Sequence, residues 1–227
     1  MSSAGWYGKL PILGDFAQRR LPNEFVAPWD AWLQHGMAAS QTVLGSAWLD
    51  TYLTAHVWHF VLMPGVLGQQ GWAGAWTPSV DKVGRYFPFT LAAPLSSGQA
   101  LGSSASALGA WLRRLEDAAR LALQLEHDIE PLEVALSSLG PPPARHPPTD
   151  TLASVGARLA RREALIDLSG LTGDCLDVLA TGSLQYALDG YSTWWCYSID
   201  GNYGGFAHRG LPDTAFLLKM LSYSPGS

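Results

Sequence analysis

The chain has 227 residues, of which 48% are hydrophobic, 11% aromatic and only 15% charged. This length and composition predict one folded domain over residues 1–227 and exclude a disordered chain. The net charge of −5 argues against nucleic acid as a partner, because phosphate binding requires a basic surface.

The cysteine content and the apolar runs indicate the cellular location of the protein. Its two cysteines give no disulfide framework, and the first fifteen residues lack the basic and apolar regions of a signal peptide. The most apolar run, Val57 to Met63, is far shorter than the ~20 residues of a membrane helix. We therefore expect a cytoplasmic protein with no membrane insertion.

Hydrophobic periodicity predicts helices alternating with strands. Up to residue 139, helices are predicted over 24–38, with Asn23 as N-cap, 41–53 and 105–125, and strands over 56–63, 71–77 and 87–93. Beyond residue 148, helices are predicted over 149–161, 174–180 and 212–222, and strands over 164–168 and 193–198, with a turn at Asp200-Gly201.

The connections and the order of these elements predict the architecture. Five prolines within residues 140–148 predict a Pro-rich surface loop rather than a domain boundary, because the piece beyond is small for a core of its own. On the predicted strand 193–198, Trp194 and Trp195 place one ring on each sheet face. The order of the predicted helices and strands indicates an α/β fold in which a mixed β-sheet is flanked by helices.

The sequence matches no catalytic or metal-binding motif. Gly5 and Gly8 are too close for a phosphate-binding loop, and Leu10 follows the lysine where Ser or Thr is required. His56 and His59 face opposite ways on the predicted strand, and no Cys or carboxylate cluster completes a zinc site. A Gly-x-Ser-x-Gly nucleophile elbow is also absent. We therefore expect no cofactor, no metal and no catalysis.

A polar segment between two prolines, Pro78 to Pro88, is the least ordinary part of the chain. Asp81 and Arg85 are four residues apart, so they can pair if this turn is helical, and Ser79 can cap the same turn. If that pair is buried, removing Arg85 orphans a carboxylate and destabilises the fold strongly. These polar residues are predicted either to hold the turn or to face a partner.

Two segments resemble the signature of a known family. Residues 5–16 read Gly-Trp-Tyr-Gly-Lys-Leu-Pro-Ile-Leu-Gly-Asp-Phe, and residues 78–88 read Pro-Ser-Val-Asp-Lys-Val-Gly-Arg-Tyr-Phe-Pro. With Trp29-Asp30-x-Trp32-Leu33-Gln34 and Trp58-x-Phe60 between them, they resemble the TagF (ImpM) family of type VI secretion system-associated proteins. Phe89 stands where Leu is expected, and the likeness is weaker towards the C-terminus.

The resemblance implies a three-layer α-β-α fold and a role in bacterial type VI secretion. It implies a cytoplasmic accessory protein that represses assembly of the apparatus after translation. Its partners would be type VI secretion components, with the forkhead-associated (Fha) scaffold protein as a candidate.

Two functional hypotheses follow. In the first, the protein binds a secretion component without catalysis, and Lys9, Asp15, Ser79, Asp81 and Arg85 form a polar network that is structural or partner-facing. In the second, a polar cleft near Lys9, Ser79, Asp81 and Arg85 binds or hydrolyses a small ligand. Burial discriminates between them, because a buried and mutually paired network favours the first. Asp15 is otherwise expected to pair locally with Arg19 or Arg20.

Overall fold

Seven strands form the sheet at the centre of the computed structural model, which describes residues 3–95, 101–143, 188–197 and 203–223. The strands are β1 (Gly5–Gly8), β2 (Ala17–Arg19), β3 (Trp58–Leu62), β4 (Trp72–Thr77), β5 (Phe89–Pro94), β6 (Tyr191–Tyr197) and β7 (Tyr203–Arg209). Their order is β2-β1-β5-β4-β3-β6-β7, and neighbouring strands all pair antiparallel.

Helices pack on both faces of this sheet. They are α1 (Asn23–Leu44), α2 (Trp48–Thr54), α3 (Leu101–Leu123), α4 (Glu130–Leu139) and α5 (Thr214–Leu221). One core contains buried residues of α1, α2 and α5, and the other contains those of α3 and α4. The predicted α/β class, with a sheet between two helical layers, is confirmed.

Strand β3 is buried at every position because helices cover both of its sides. Phe60 packs towards α1, where its ring lies 4.7 Å from that of Trp29, whereas Val61 belongs to the core under α3. The same alternation divides the two tryptophans of β6, since Trp194 joins the α1 core and Trp195 packs against the other. The prediction of one tryptophan ring on each face is confirmed.

The sheet is antiparallel throughout the described strands, whereas a mixed sheet was predicted. A parallel pair needs a crossover connection, usually a helix, between neighbouring strands. Here β3, β4 and β5 follow each other without a helix, and α3 and α4 connect β5 to β6, which are not neighbours. The antiparallel order follows from these connections.

Several boundaries differ from the prediction. The first helix continues through Pro28 to Leu44, and the break from the second is a 3-10 turn at Gly45–Ala47. The predicted cap at Asn23 is wrong, because Pro22 is the N-cap and makes no side-chain hydrogen bond. No element was predicted at β1, β2, α4 or β7.

Other predicted features lie outside the described residues. These are the elements at 149–161, 164–168 and 174–180, residues 144–148 of the Pro-rich loop, and the turn at Asp200-Gly201. Helix α4 ends at Leu139, where Gly140 adopts a φ of 68°. None of the helices in the described part of the chain is long and apolar enough to cross a membrane.

Candidate functional site

The two motif segments meet because β1 pairs with β5. Gly8, at the end of β1, lies opposite Phe89, at the start of β5. The chain that leaves β1 and the chain that enters β5 therefore run side by side. The Lys82 N–H donates to the Leu13 carbonyl at 2.9 Å, which joins the two segments further from the sheet. The sheet register thus assembles the candidate site from distant parts of the sequence.

Residues 81–85 form a tight hairpin turn. The Asp81 N–H donates to the Arg85 carbonyl at 3.0 Å, and the Gly84 N–H donates to the Asp81 carbonyl at 3.0 Å. Val80 and Tyr86 form an antiparallel bridge just outside the turn. Gly84 has a φ of 85°, which suits glycine. Asp81 and Arg85 are therefore brought together by a hairpin turn and not by a helical one.

The Asp81 carboxylate holds this turn from inside. It accepts hydrogen bonds from the backbone N–H groups of Val83, at 3.1 Å, and Arg85, at 2.8 Å. Its other oxygen lies 2.7 Å from Arg85 Nε and 3.1 Å from Lys9 Nζ. Burial alone would raise the pKa of Asp81, but these bonds from Arg85, Lys9 and Val83 outweigh it and hold the pKa below its ordinary value.

Lys9 and Arg85 differ in their exposure, although both pair with Asp81. The Lys9 side chain is 6% exposed and the Asp81 side chain is fully buried, whereas the Arg85 side chain is 51% exposed. The expected Asp81–Arg85 pair is thus present, but only its carboxylate is buried. Removing Arg85 would leave Asp81 with the lysine and two backbone donors, so the expected orphaned carboxylate does not arise.

Ser79 lies in the same region, and its hydrogen bonds go to residues other than Asp81. Its hydroxyl donates to the Lys9 carbonyl at 2.7 Å, so it joins the two segments instead of capping the turn as predicted. Its backbone N–H and C=O both bond to the Tyr52 hydroxyl, each at 2.9 Å. Tyr52 is fully buried on α2, and burial raises the pKa of its hydroxyl.

Asp15 does not make the predicted pair with Arg19 or Arg20. Its carboxylate accepts from the Phe16 N–H at 2.8 Å and lies 3.6 Å from Arg85. Arg19 and Arg20 instead pair with Glu133 on α4. Arg19 ends β2 at the sheet edge and Arg20 follows it, and there both side chains reach the Glu133 carboxylate of α4.

The buried part of this site offers no free reactive group. Lys9, Ser79 and Asp81 are 5%, 4% and 3% exposed, and their polar side-chain atoms are paired with one another, with Arg85 or with backbone. Cavities of about 470 and 260 Å³ lie elsewhere, one lined by strands β6 and β7 and one by helices α3 and α4. Within the described ranges, no three His, Cys, Asp or Glu residues lie close enough to hold a metal ion.

One polar pair between the sheet and α3 had no signal in the sequence beyond a histidine on a buried strand. His59 is fully buried, and its Nε2 lies 2.8 Å from a carboxylate oxygen of Glu116 on α3. Glu116 also pairs with Arg120. Burial pushes the pKa of Glu116 up, but the contacts with His59 and Arg120 outweigh it, so the pKa lies below its usual value.

Both motif segments lie within the part of the chain that one protein-family model matches. The family model described as the TagF N-terminal domain, type VI secretion system-associated, matches residues 5–139. That is more than half of the chain, so the chain belongs to the TagF family. This assignment supports an accessory role in type VI secretion.

A solved structure extends the likeness over nearly the whole chain. It is the crystal structure of PA0076 from Pseudomonas aeruginosa PAO1, at 2.05 Å resolution, which is similar with a TM-score of 0.77 and 36% sequence identity. The alignment covers 97% of this chain and 94% of that one. Among curated proteins, no match was found.

Proposed function

We propose that this protein is a cytoplasmic, non-enzymatic repressor of type VI secretion that acts after translation by binding a component of the apparatus. The observation that carries the proposal is the closed arrangement of the motif residues. Lys9 and Asp81 form a buried ion pair, and their position holds two loops at the surface. Such an arrangement supports a fixed recognition surface better than it supports chemistry.

Catalysis would require groups that these side chains do not leave free. A nucleophile needs an adjacent base within hydrogen-bond reach and access to substrate. The Ser79 hydroxyl instead donates to a backbone carbonyl, and the Asp81 carboxylate already accepts from Lys9, Arg85 and two backbone N–H groups. The hypothesis of a ligand-binding or hydrolytic cleft at these residues therefore has no support in the geometry.

The accessory role of the TagF family favours a secretion component as the partner. The Fha scaffold protein, which the family resemblance suggests, is the first candidate. Binding to a cytoplasmic component before assembly would explain repression without any covalent change.

The experiment is a deletion of the gene combined with complementation and purified binding assays. We expect the deletion to increase secretion, the wild-type chain to restore repression, and the purified protein to bind Fha or another purified cytoplasmic component. The Ser79→Ala variant should still repress secretion, provided that its melting temperature equals that of the wild type. If deletion leaves secretion unaltered and no component binds, the proposal is wrong. A stable Ser79→Ala variant that loses repression would instead favour chemistry at this serine.

A further inference from the structure

The motif tip, which consists of residues 14–16 and 82–85, is the outward face of the candidate site. Every one of these residues is exposed, whereas Lys9, Ser79 and Asp81 beneath them are buried. The Arg85 guanidinium joins the two halves of the tip, since it bonds to the Gly14 carbonyl and lies 3.6 Å from Asp15. Two loops therefore present one surface.

Apolar side chains stand in this surface. Val83 is 66% exposed, and Phe16 is 43% exposed. Phe16 is fixed by packing, because its ring lies 4.8 Å from both the Phe87 ring and Lys9 Nζ. The backbone of Val83 is fixed as well, since its N–H donates to Asp81. The Phe16 ring and the Val83 backbone are thus held in place, which lowers the entropy cost of contact with a partner.

The charge of the tip is opposite to that of the whole chain. Lys82 and Arg85 supply two cations against the single carboxylate of Asp15, in a protein whose net charge is −5. The Lys82 ammonium makes no ion pair within the part of the chain that the structure describes. Arg85 directs Nε and Nη2 to this protein's own oxygens, which leaves Nη1 without a partner among the described residues.

We infer that the motif tip is the docking surface of this protein and that its partner is a protein surface carrying a carboxylate beside an apolar pocket. The inference rests on the proposed function, since it names where the secretion component binds. Val83 and Phe16 would enter the apolar pocket. Lys82 and the free side of Arg85 would meet the carboxylate, and arginine and aromatic side chains are the usual anchors of such interfaces.

Three exposed valines on different surfaces give a matched test. Val83 is in the tip, Val43 lies in α1 and Val134 in α4, with exposures of 66%, 67% and 56%. A photocrosslinking residue placed at each position, in cells with an active secretion system, should link a type VI secretion component at position 83 only. Mass spectrometry identifies the product. Crosslinks from 43 or 134 instead, or from 83 to a second copy of this chain, would overturn the inference.

Binding assays with the purified component then measure how much Val83 and Lys82 contribute to the affinity. Val83→Asp should weaken binding about ten-fold or more, as loss of an interface anchor does, whereas Val43→Asp should leave it unchanged. Added salt should weaken wild-type binding more than that of Lys82→Gln, because the lysine contributes a screened charge interaction. Since these side chains are exposed, melting temperatures should match the wild type.

The outcomes separate the two proposals. If wild-type protein binds the component and Val83→Asp binds as tightly as Val43→Asp, the motif tip is not the docking surface, while the proposed function stands. If wild-type protein binds no secretion component, the proposed function fails, and the docking inference fails with it.

Discussion

The substitution Tyr52→Phe removes one buried hydroxyl and leaves the ring in place. That hydroxyl bonds to both the N–H and the C=O of Ser79. The carbonyl keeps a partner, because it also accepts from the Phe87 N–H at 3.0 Å. The Ser79 N–H is left without one, in a residue that is only 4% exposed. The substitution therefore leaves one buried polar group, the Ser79 N–H, without a hydrogen-bond partner.

A buried donor without an acceptor costs about 1–3 kcal/mol. We expect the free energy of unfolding to fall by that amount. For a chain of this length each kcal/mol shifts the melting temperature by about 2–4 °C, so a loss of about 2 kcal/mol lowers it by about 4–8 °C. Thermal melts and urea titrations, both followed by circular dichroism, measure the change.

Tyr86→Phe is the matched control. The Tyr86 ring contacts that of Tyr52 edge-on, with centroids 6.0 Å apart, but its hydroxyl makes no hydrogen bond within the described residues. Its loss should change stability by less than about 0.5 kcal/mol. Equal melting temperatures for Tyr52→Phe and Tyr86→Phe would refute the reasoning, since the Ser79 N–H would then have another partner.

Two further predictions concern ion-paired side chains. Lys9→Met should lower the melting temperature more than Arg85→Ala does, because the lysine is buried with Asp81 whereas the arginine is half exposed. Thermal scans of the two variants in parallel measure the difference. Equal melting temperatures would contradict this prediction. In the folded protein the pKa of Glu116 lies below the ordinary glutamate value of 4.5. The ionised carboxylate therefore stabilises the fold above pH 4.5, and this contribution declines as the pH falls through the lowered pKa of the folded state. The stability difference between wild type and Glu116→Gln should therefore narrow from pH 6 towards pH 3 in urea titrations, and a constant difference would show that the pKa does not change on folding.

The central strands could be predicted because their patterns are strong and local. The runs at 56–63, 71–77 and 87–93 correspond to β3, β4 and β5, where helices cover both faces and apolar residues follow one another. The edge strands could not be predicted in the same way. Strand β2 has three residues, and burial there is partial, so hydrophobic pattern carries little information.

The partner of Asp81 shows why side-chain contacts were harder to predict. Spacing of four residues indicated Arg85, and that contact exists. The buried partner is Lys9, which the chain brings to Asp81 only because Gly8 lies opposite Phe89 in the sheet. Sequence spacing carries no information on that register. The same limit applies to Arg20, whose partner Glu133 comes from a helix far along the chain.

The residues of the motif therefore divide into an inward-facing and an outward-facing group. Inward groups, Lys9 and Asp81, set the position of the loops, and outward groups, Lys82 and Val83, are free to meet a partner. Variants of the first kind should change stability together with binding, because they move the surface. Variants of the second kind should change binding alone. A recognition surface whose backbone is already held by buried hydrogen bonds loses little conformational freedom on binding, so a few exposed side chains can provide a useful affinity.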